Sequence, residues 1–183
     1  ADSVYTPSAP NYTTALDFNG SSNYIDAGSS LGVIGTGVRT FSIWLKTSQT
    51  SGSQTVLGTR NYNTDGWVIQ ISLNSILFYN VKGGGRIWVT TVNLIDGNWH
   101  HLVIVRAGIG NNKIYVDGVP QTLDLRPEPW NIQENLTDPQ SSKNLLIGAG
   151  YNTGGTFYRY FDGEISNTAI FNSALTSSQV STL

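Results

Sequence analysis

The sequence predicts an all-β sandwich closed by one short C-terminal helix. Three observations predict it. Apolar residues recur with a period of two along most of the 183 residues, which is the alternation of a strand with one buried face. Several runs are apolar on both faces, as strands lying between packed layers are. The connections are short, except from Leu123 to Lys143. No linker rich in Gly or Ser divides the chain and no internal repeat is present. It therefore reads as a single domain over residues 1–183, with 1–14 as an extended N-terminal segment.

Each element follows from local pattern. Strands are expected at Ala15–Phe18 and Tyr24–Asp26, then at Phe41–Lys46, where Phe41, Ile43 and Leu45 alternate with Ser42, Trp44 and Lys46. Another is expected at Thr55–Gly58. In the run from Trp67 to Leu73, Trp67, Ile69, Ile71 and Leu73 alternate with Val68, Gln70 and Ser72, and ILFYNV after a turn at Asn74-Ser75 reads as the returning arm of a hairpin. Further strands are expected at Arg86–Thr91, Trp99–Arg106, Lys113–Val116, Leu145–Ala149, Phe157–Phe161 and Glu164–Phe171. Asn111-Asn112 and Asp117-Gly118 read as turns that accept positive φ. Thr176-Ser-Ser-Gln179 has the spacing of a capping box, with Thr as N-cap ahead of Val180 and Leu183, so one or two helical turns are expected there. The long connection carries Pro127, Pro129, Pro139 and Trp130. Loops of that size tend to be functional.

Composition removes whole classes of chemistry. There is no Cys, so disulfides, thiol nucleophiles and thiolate metal sites are excluded. Ten Lys plus Arg face twelve Asp plus Glu, without a basic run. A nucleic-acid footprint is not expected, and no apolar run approaches the ~18 residues of a membrane helix. The opening ADSVYTPSAP has no signal-peptide pattern. The absence of Met, even at position 1, reads equally as an excised segment of a longer protein or as a trimmed initiator.

Both histidines lie in GNWHHLVIVRAGIGNNKIYVDG, residues 97–118. Adjacent strand side chains point to opposite faces, so His100 and His101 cannot converge on one ion, and no third His is present. The helical HExxH pattern and the GxSxG nucleophile turn are absent. Both histidines are expected to be structural.

That hairpin resembles the corresponding segment of laminin-G-like, concanavalin A-like jelly-roll domains, where a WHH strand is followed by a turn and a strand ending in YVDG. ALDFNGSSNYIDAG is similar to the family's opening strands and TFSIWLKTS to its next long strand. FDGEISNTAIFNSALTSSQV is similar to its closing strand and short helix. The resemblance implies two antiparallel sheets, one convex and one concave, with the first and last strands adjacent. It is far less specific for function, because that fold hosts lectins, carbohydrate-binding modules, glycanases and adhesion modules.

The glycanases of the fold resemble one another in an ExDxxE strand, which is absent here. Asp162-Gly-Glu164 is the nearest approach to a carboxylate pair, and Glu128, Glu134 and Asp138 lie in the proline-bearing loop. A structural calcium, frequent in the family near the junction of first and last strands, would fall by resemblance at Asn19, Ser22, Asp162 and Ser166. Ca²⁺ needs six to eight oxygens, and Ser166 stands where the family usually has Asp, which removes one charged ligand.

A sugar binder needs flat aromatic plates for the C–H faces of the ring and neutral or forked hydrogen-bonding groups for its hydroxyls. The candidates are Arg60, Tyr62 and Asn63, Trp130 and Asn131, and Tyr151, Asn152 and Tyr158. Tyr158 and Tyr160 alternate with Phe157, Arg159 and Phe161, so either set could equally be core. Trp67, Trp88 and Trp99 read as core. The expectation is a non-catalytic carbohydrate-binding module of a larger secreted, cell-surface or virion-surface protein. Its partners would be a glycan and the rest of its host. The alternatives are a structural or adhesion module and, third, a glycan hydrolase or lyase.

Overall fold

The computed structural model of the chain describes residues 15–29, 37–60, 66–73, 75–80, 86–89, 92–108, 110–124, 143–152 and 155–183. Alternation decides the architecture. In β3 (Arg39–Lys46), Phe41, Ile43 and Leu45 are almost wholly buried in the main core. In β8 (Trp99–Arg106) the core-facing residues are Leu102 and Ile104. These two strands pair antiparallel over their full length, Arg39 opposite Arg106 and Lys46 opposite Trp99. Around them a six-stranded sheet forms in the order β1-β14-β3-β8-β9-β10. Its other members are β1 (Leu16–Asn19), β9 (Lys113–Val116), β10 (Val119–Pro120) and β14 (Asp162–Phe171). The first and last strands are therefore neighbours, as the resemblance implied.

The second six-stranded sheet has the order β2-β11-β4-β5-β6-β7. It contains β2 (Ile25–Ser29), β4 (Gln54–Gly58), β5 (Trp67–Ser72), β6 (Ser75–Asn80), β7 (Arg86–Val89) and β11 (Asn144–Ile147). Trp67, Ile69 and Ile71 of β5 face the first sheet, with Phe41, Trp67 and Phe78 forming a tilted aromatic cluster at 4.8–5.8 Å between ring centroids. A small third sheet, β12 (Gly150–Tyr151) with β13 (Phe157–Tyr158), forms a separate hairpin.

Turn chemistry follows the sequence in part. Asp117 and Gly118 have φ of 50° and 74°, the mirror-image turn that suits strand twist. At the preceding hairpin the positive φ values fall on Gly108 and Gly110 rather than on the two asparagines. Asn112 acts through its side chain, accepting the N–H groups of Ala107 and Gly108 at 3.0 and 3.2 Å. β5 ends at Ser72 and β6 begins at Ser75, so Ser75 belongs to the strand and not to the turn read at Asn74-Ser75, because it already pairs with Ser72. At the closing strand, Gly163 has φ 137°, and a Cβ there would lie 2.1 Å from the Lys46 carbonyl oxygen. That close approach lets β14 run through Asp162 as one strand.

The outer face of the first sheet is sealed. Val103, Val105 and Tyr115 bury against Val180 of α1 (Ser177–Val180), with Ala174 and Leu175 beside them. Thr40, fully buried, donates to the Ser173 carbonyl at 2.8 Å and accepts the Leu175 N–H at 3.0 Å. The capping box is formed in both directions: Gln179 N–H donates to Thr176 Oγ1 and Thr176 N–H to Gln179 Oε1.

Candidate functional site

The hairpin β12–β13 lies on the outer face of the second sheet, and one glycine starts it. Gly148 has φ 82°, and a Cβ there would fall 2.4 Å from the Phe18 ring. Only glycine permits both the turn and the approach. Beyond it, Ala149 and Tyr151 pack on Leu146, with Phe157 and Tyr160 against them. The Thr55 N–H donates to the Arg159 carbonyl at 2.8 Å, tying the hairpin to β4.

Arg159 has φ 51°, a left-handed conformation that a residue with a Cβ rarely adopts. It breaks the alternation that the run FYRYF suggests, so β13 ends at Tyr158. The Arg159 side chain folds back onto the sheet. Its Nη1 donates to Gln70 Oε1 at 2.7 Å, and its guanidinium sits 5.1 Å from the centroid of the Tyr158 ring. Gln70 is buried and donates in turn to Thr55 Oγ1 at 3.3 Å. Arg60 approaches the same ring at 5.9 Å and its Nη1 donates to the Tyr158 hydroxyl. A half-buried tyrosine thus stands between two guanidiniums.

An aromatic run continues along the hairpin. Tyr24, at the edge of β2, lies 4.3 Å from Phe157, and Phe157 lies 5.3 Å from Tyr151. Lys143 Nζ is 5.5 Å from the Tyr151 ring centroid. Tyr151 is only 7% exposed, and burial pushes its phenol pKa up.

Of the sequence-derived binding candidates, the fold gathers Arg60, Tyr151, Asn152 and Tyr158 around this hairpin. Asn152 closes its tip, its N–H donating to the Thr156 carbonyl and its own carbonyl accepting the Gly155 N–H. Tyr62, Asn63, Trp130 and Asn131 lie outside the described residues, as do Glu128, Glu134 and Asp138. Sequence reasoning missed Gln70, Arg159, Lys143 and Tyr24. The one available signal was Gln70, a polar residue inside the otherwise apolar WVIQI.

Of the four residues considered for calcium, Asn19, Ser22 and Asp162 lie together and Ser166 does not. The Asn19 side-chain carbonyl accepts the backbone N–H groups of Ser21, Ser22 and Asn23, at 3.1, 2.9 and 3.0 Å, and its amide donates to Ser22 Oγ. Its oxygen is committed to the turn. Asp162 pairs with Asn19 across the ladder, but Ser166 lies four strand residues further on, about 13 Å away, and is buried beside Trp44. Asp162 and Glu164 do line one open polar depression, with Asp17 and Lys46. Within it Lys46 Nζ pairs with Glu164 Oε1 at 2.8 Å.

The histidines take separate structural roles. His101 is fully buried on the outer face of the first sheet, stacked on Trp44 at 4.8 Å and 7°, and hydrogen-bonded through Nε2 to Ser42 Oγ at 2.8 Å. Desolvation lowers its pKa, which favours the neutral ring. His100 points the other way. Its Nδ1 contacts Asp117 Oδ2 at 2.7 Å and its Nε2 contacts Asp96 Oδ1 at 3.0 Å. The hydrogen bond to Asp117, aided by Asp96 against the cost of burial, raises its pKa. Among the described residues no group of three or more His, Asp or Glu is arranged to hold a metal ion.

Two stacked antiparallel sheets with adjacent termini define a jelly-roll sandwich, and comparison with known proteins agrees. The chain belongs to the concanavalin A-like lectin/glucanase superfamily, whose laminin-G-type sequence profile matches residues 19–181. Solved structures share the fold at low identity. A heptameric SAP-like pentraxin from Limulus polyphemus is 20% identical over 92% of this chain and 80% of its own, with a TM-score of 0.68. The binding domain of botulinum neurotoxin serotype G is 17% identical over 92% of this chain and 41% of its own, at 0.64. A candidate carbohydrate-binding protein from Bacteroides ovatus is 20% identical over 92% and 46%, at 0.62. The chain thus spans less than half the length of the last two. No curated protein sequence matches it.

Proposed function

We propose that this domain is a non-catalytic carbohydrate-binding module acting outside the cell, at a cell or virion surface, as part of a larger protein. The observation that carries this reading is the Tyr158 ring, half-buried on a rigid sheet and flanked by the Arg60 and Arg159 guanidiniums. An aromatic plate with forked donors beside it meets both needs of a pyranose, an apolar face and hydroxyl partners. Membership of a superfamily of lectins and glucanases supports the same class. The ion pair at Glu164 and the lack of an ExDxxE strand support a binder rather than a glycanase. Among the described residues, no helix is long and apolar enough to cross a membrane.

A second reading, a structural or adhesion module, draws on a specific observation: Tyr151 and Arg60 are each only 7% exposed, as packing residues are. Binding separates the two. Retention on a panel of immobilised polysaccharides, weakened at least tenfold in an Arg60→Ala, Tyr158→Ala double variant of unchanged circular dichroism, is the expected result. An Asp162→Asn, Glu164→Gln variant should bind as the parent does, and neither should release reducing sugar. Retention on no polysaccharide would leave the structural reading in place.

A further inference from the structure

We infer that His100 is a pH-sensitive latch: doubly protonated, it ties the connection ahead of β8 to the β9–β10 turn, and on losing one proton it releases that connection at Asp96.

The donor count requires two protons. Both ring nitrogens of His100 meet a carboxylate oxygen, Nδ1 at 2.7 Å from Asp117 Oδ2 and Nε2 at 3.0 Å from Asp96 Oδ1. An ionised carboxylate only accepts, so each contact needs its own N–H, and a neutral imidazole carries one N–H and one lone pair. Only the imidazolium holds both carboxylates at once. His101, one residue on, is the built-in contrast. Its Nε2 meets the Ser42 hydroxyl, which can donate or accept, and its Nδ1 has no partner among the described residues. That ring needs no second proton.

The two carboxylates are not equally free to leave. Asp117 is fixed to the ladder: its Oδ1 accepts the His101 N–H at 2.8 Å, and its own N–H donates to the His101 carbonyl at 2.9 Å. The Asp96 oxygen that meets His100 also accepts the Asn98 N–H at 2.8 Å, a bond inside its own connection. Its side chain is the more exposed of the two, 38% against 28%. Leu94 and Ile95 bury the start of the connection, so the part able to move is Asp96 to Asn98. When the ring is neutral, Nδ1 keeps its hydrogen for Asp117, and the Nε2 lone pair faces an Asp96 oxygen. Two acceptors then stand at hydrogen-bond distance, and that contact opens.

Asp117, from the β9–β10 turn, and Asp96, from the connection, are the charged groups acting on the ring. The hydrogen bond to Asp117 raises its pKa against the cost of burial, and Asp96 adds to the rise. On β3, Leu45 opposite His100 is apolar, and Lys46 points to the other face, where it pairs with Glu164. The latch is therefore closed at and below the ordinary histidine value near 6.5 and opens above it. The released segment borders the polar depression on the first sheet. Gly97, whose N–H donates to the Thr47 carbonyl at 3.0 Å, lines that depression with Asp17, Asp162 and Glu164. Opening the latch loosens one rim of it, whether or not the hairpin face binds sugar.

The test is an NMR titration of the isotope-labelled chain from about pH 5.5 to about pH 9, reading the His100 ring nitrogens and the amide protection around them. At the acid end both nitrogens should carry protons. Through the His100 midpoint, protection at Gly97 and Asn98 should fall roughly tenfold while that of His101 and Asp117 stays constant, which separates local release from general unfolding. Asp96→Asn should abolish the step and keep the connection closed throughout, because an amide offers an N–H to the neutral Nε2 or an oxygen to the protonated one. Asp96→Ala should leave Gly97 and Asn98 open at every pH. Protection that ignores the His100 midpoint, or a step that survives Asp96→Asn, would overturn the inference. A ring carrying a single proton at the acid end would do the same.

Discussion

The outer faces of the two sheets have been finished in opposite ways. On the first, Ser42, Trp44, His101, Val103 and Tyr115 are all buried, and the C-terminal segment with α1 is strapped down by Thr40 and by Tyr115, whose hydroxyl meets Ser177 Oγ at 3.0 Å. On the second, the cover is a hairpin of two-residue strands bearing arginine, tyrosine and glycine, and it leaves Tyr158, Tyr160 and Arg159 wholly or partly open. A face sealed by apolar packing supplies stability and offers a ligand nothing to hold. A face covered by a polar hairpin costs more to order, and leaves donors and ring edges in reach of solvent. The same sandwich therefore keeps its closed, apolar-packed surface and its open, donor-bearing surface on opposite sides.

The sharpest way to break that contrast is to open the sealed face. Trp44 is 5% exposed and stacks on His101, so Trp44→Ala should lower unfolding free energy by about 3–5 kcal/mol, the range for large aromatics truncated in a core. Domains of ordinary stability have about 5–15 kcal/mol in total. Urea denaturation measures the loss. Sugar affinity at temperatures where the variant remains folded should equal the parent's, and a loss of affinity matching the loss of stability would mean that the two faces are one unit.

A smaller, signed effect separates the two histidines, which one residue's offset sends to different environments. His101 has its pKa lowered by burial. Below the ordinary value near 6.5 the unfolded chain takes up a proton that the folded ring resists, so this residue's contribution is present above that pH and is lost as pH falls through the unfolded value. His100 has its pKa raised by Asp117 and Asp96. Its contribution is fully present below the unfolded value and is lost as pH rises through the folded one. The stability gap between the parent and His100→Gln should therefore widen as pH falls from 8 to 6. For His101→Gln it should narrow between pH 7 and 5. Denaturation midpoints across that range read both slopes, and parallel slopes would contradict the assignment of opposite environments.

What the sequence disclosed divides along the same line as the two faces. The long strands were legible because pleating enforces a period of two over enough residues to be seen: Trp99–Arg106 and Lys113–Val116 are matched to the residue. The Asp117-Gly118 turn and the Thr176–Gln179 box were legible because each is a local bargain between a side chain and its own backbone. The hairpin was not, since two strands of two residues show no period. Tyr158 and Tyr160 looked like alternating strand residues because nothing in YRY announces a left-handed arginine. Gln70 stood in sequence simply as a polar member of an alternating run, and only the chain returning 89 residues later reveals that Arg159 meets it. Arg60 and Tyr158 were named as candidates for their residue types alone; their meeting is a fact of topology. The residues considered for calcium are a related case. Resemblance places residues along a chain, but whether the Asn19 oxygen is available depends on three backbone donors that only the folded turn brings to it.

The gentlest test loosens the seal without opening it. Thr176 caps the single turn of α1, and the turn's one buried residue, Val180, closes the cluster over Val103 and Tyr115. Thr176→Ala removes the acceptor for the Gln179 N–H and should cost about 1 kcal/mol, a fall of roughly 2–4 °C in melting temperature for a domain of this size. Thr176→Ser, which keeps the oxygen, should restore most of it. Because the buried residue of α1 packs on the sealed face, neither variant should change sugar retention. If Thr176→Ala instead costs as much as Trp44→Ala, the C-terminal turn is not a lid laid over a finished sheet but part of the core itself, and the sealed face owes its burial to the chain's last twelve residues more than to its own side chains.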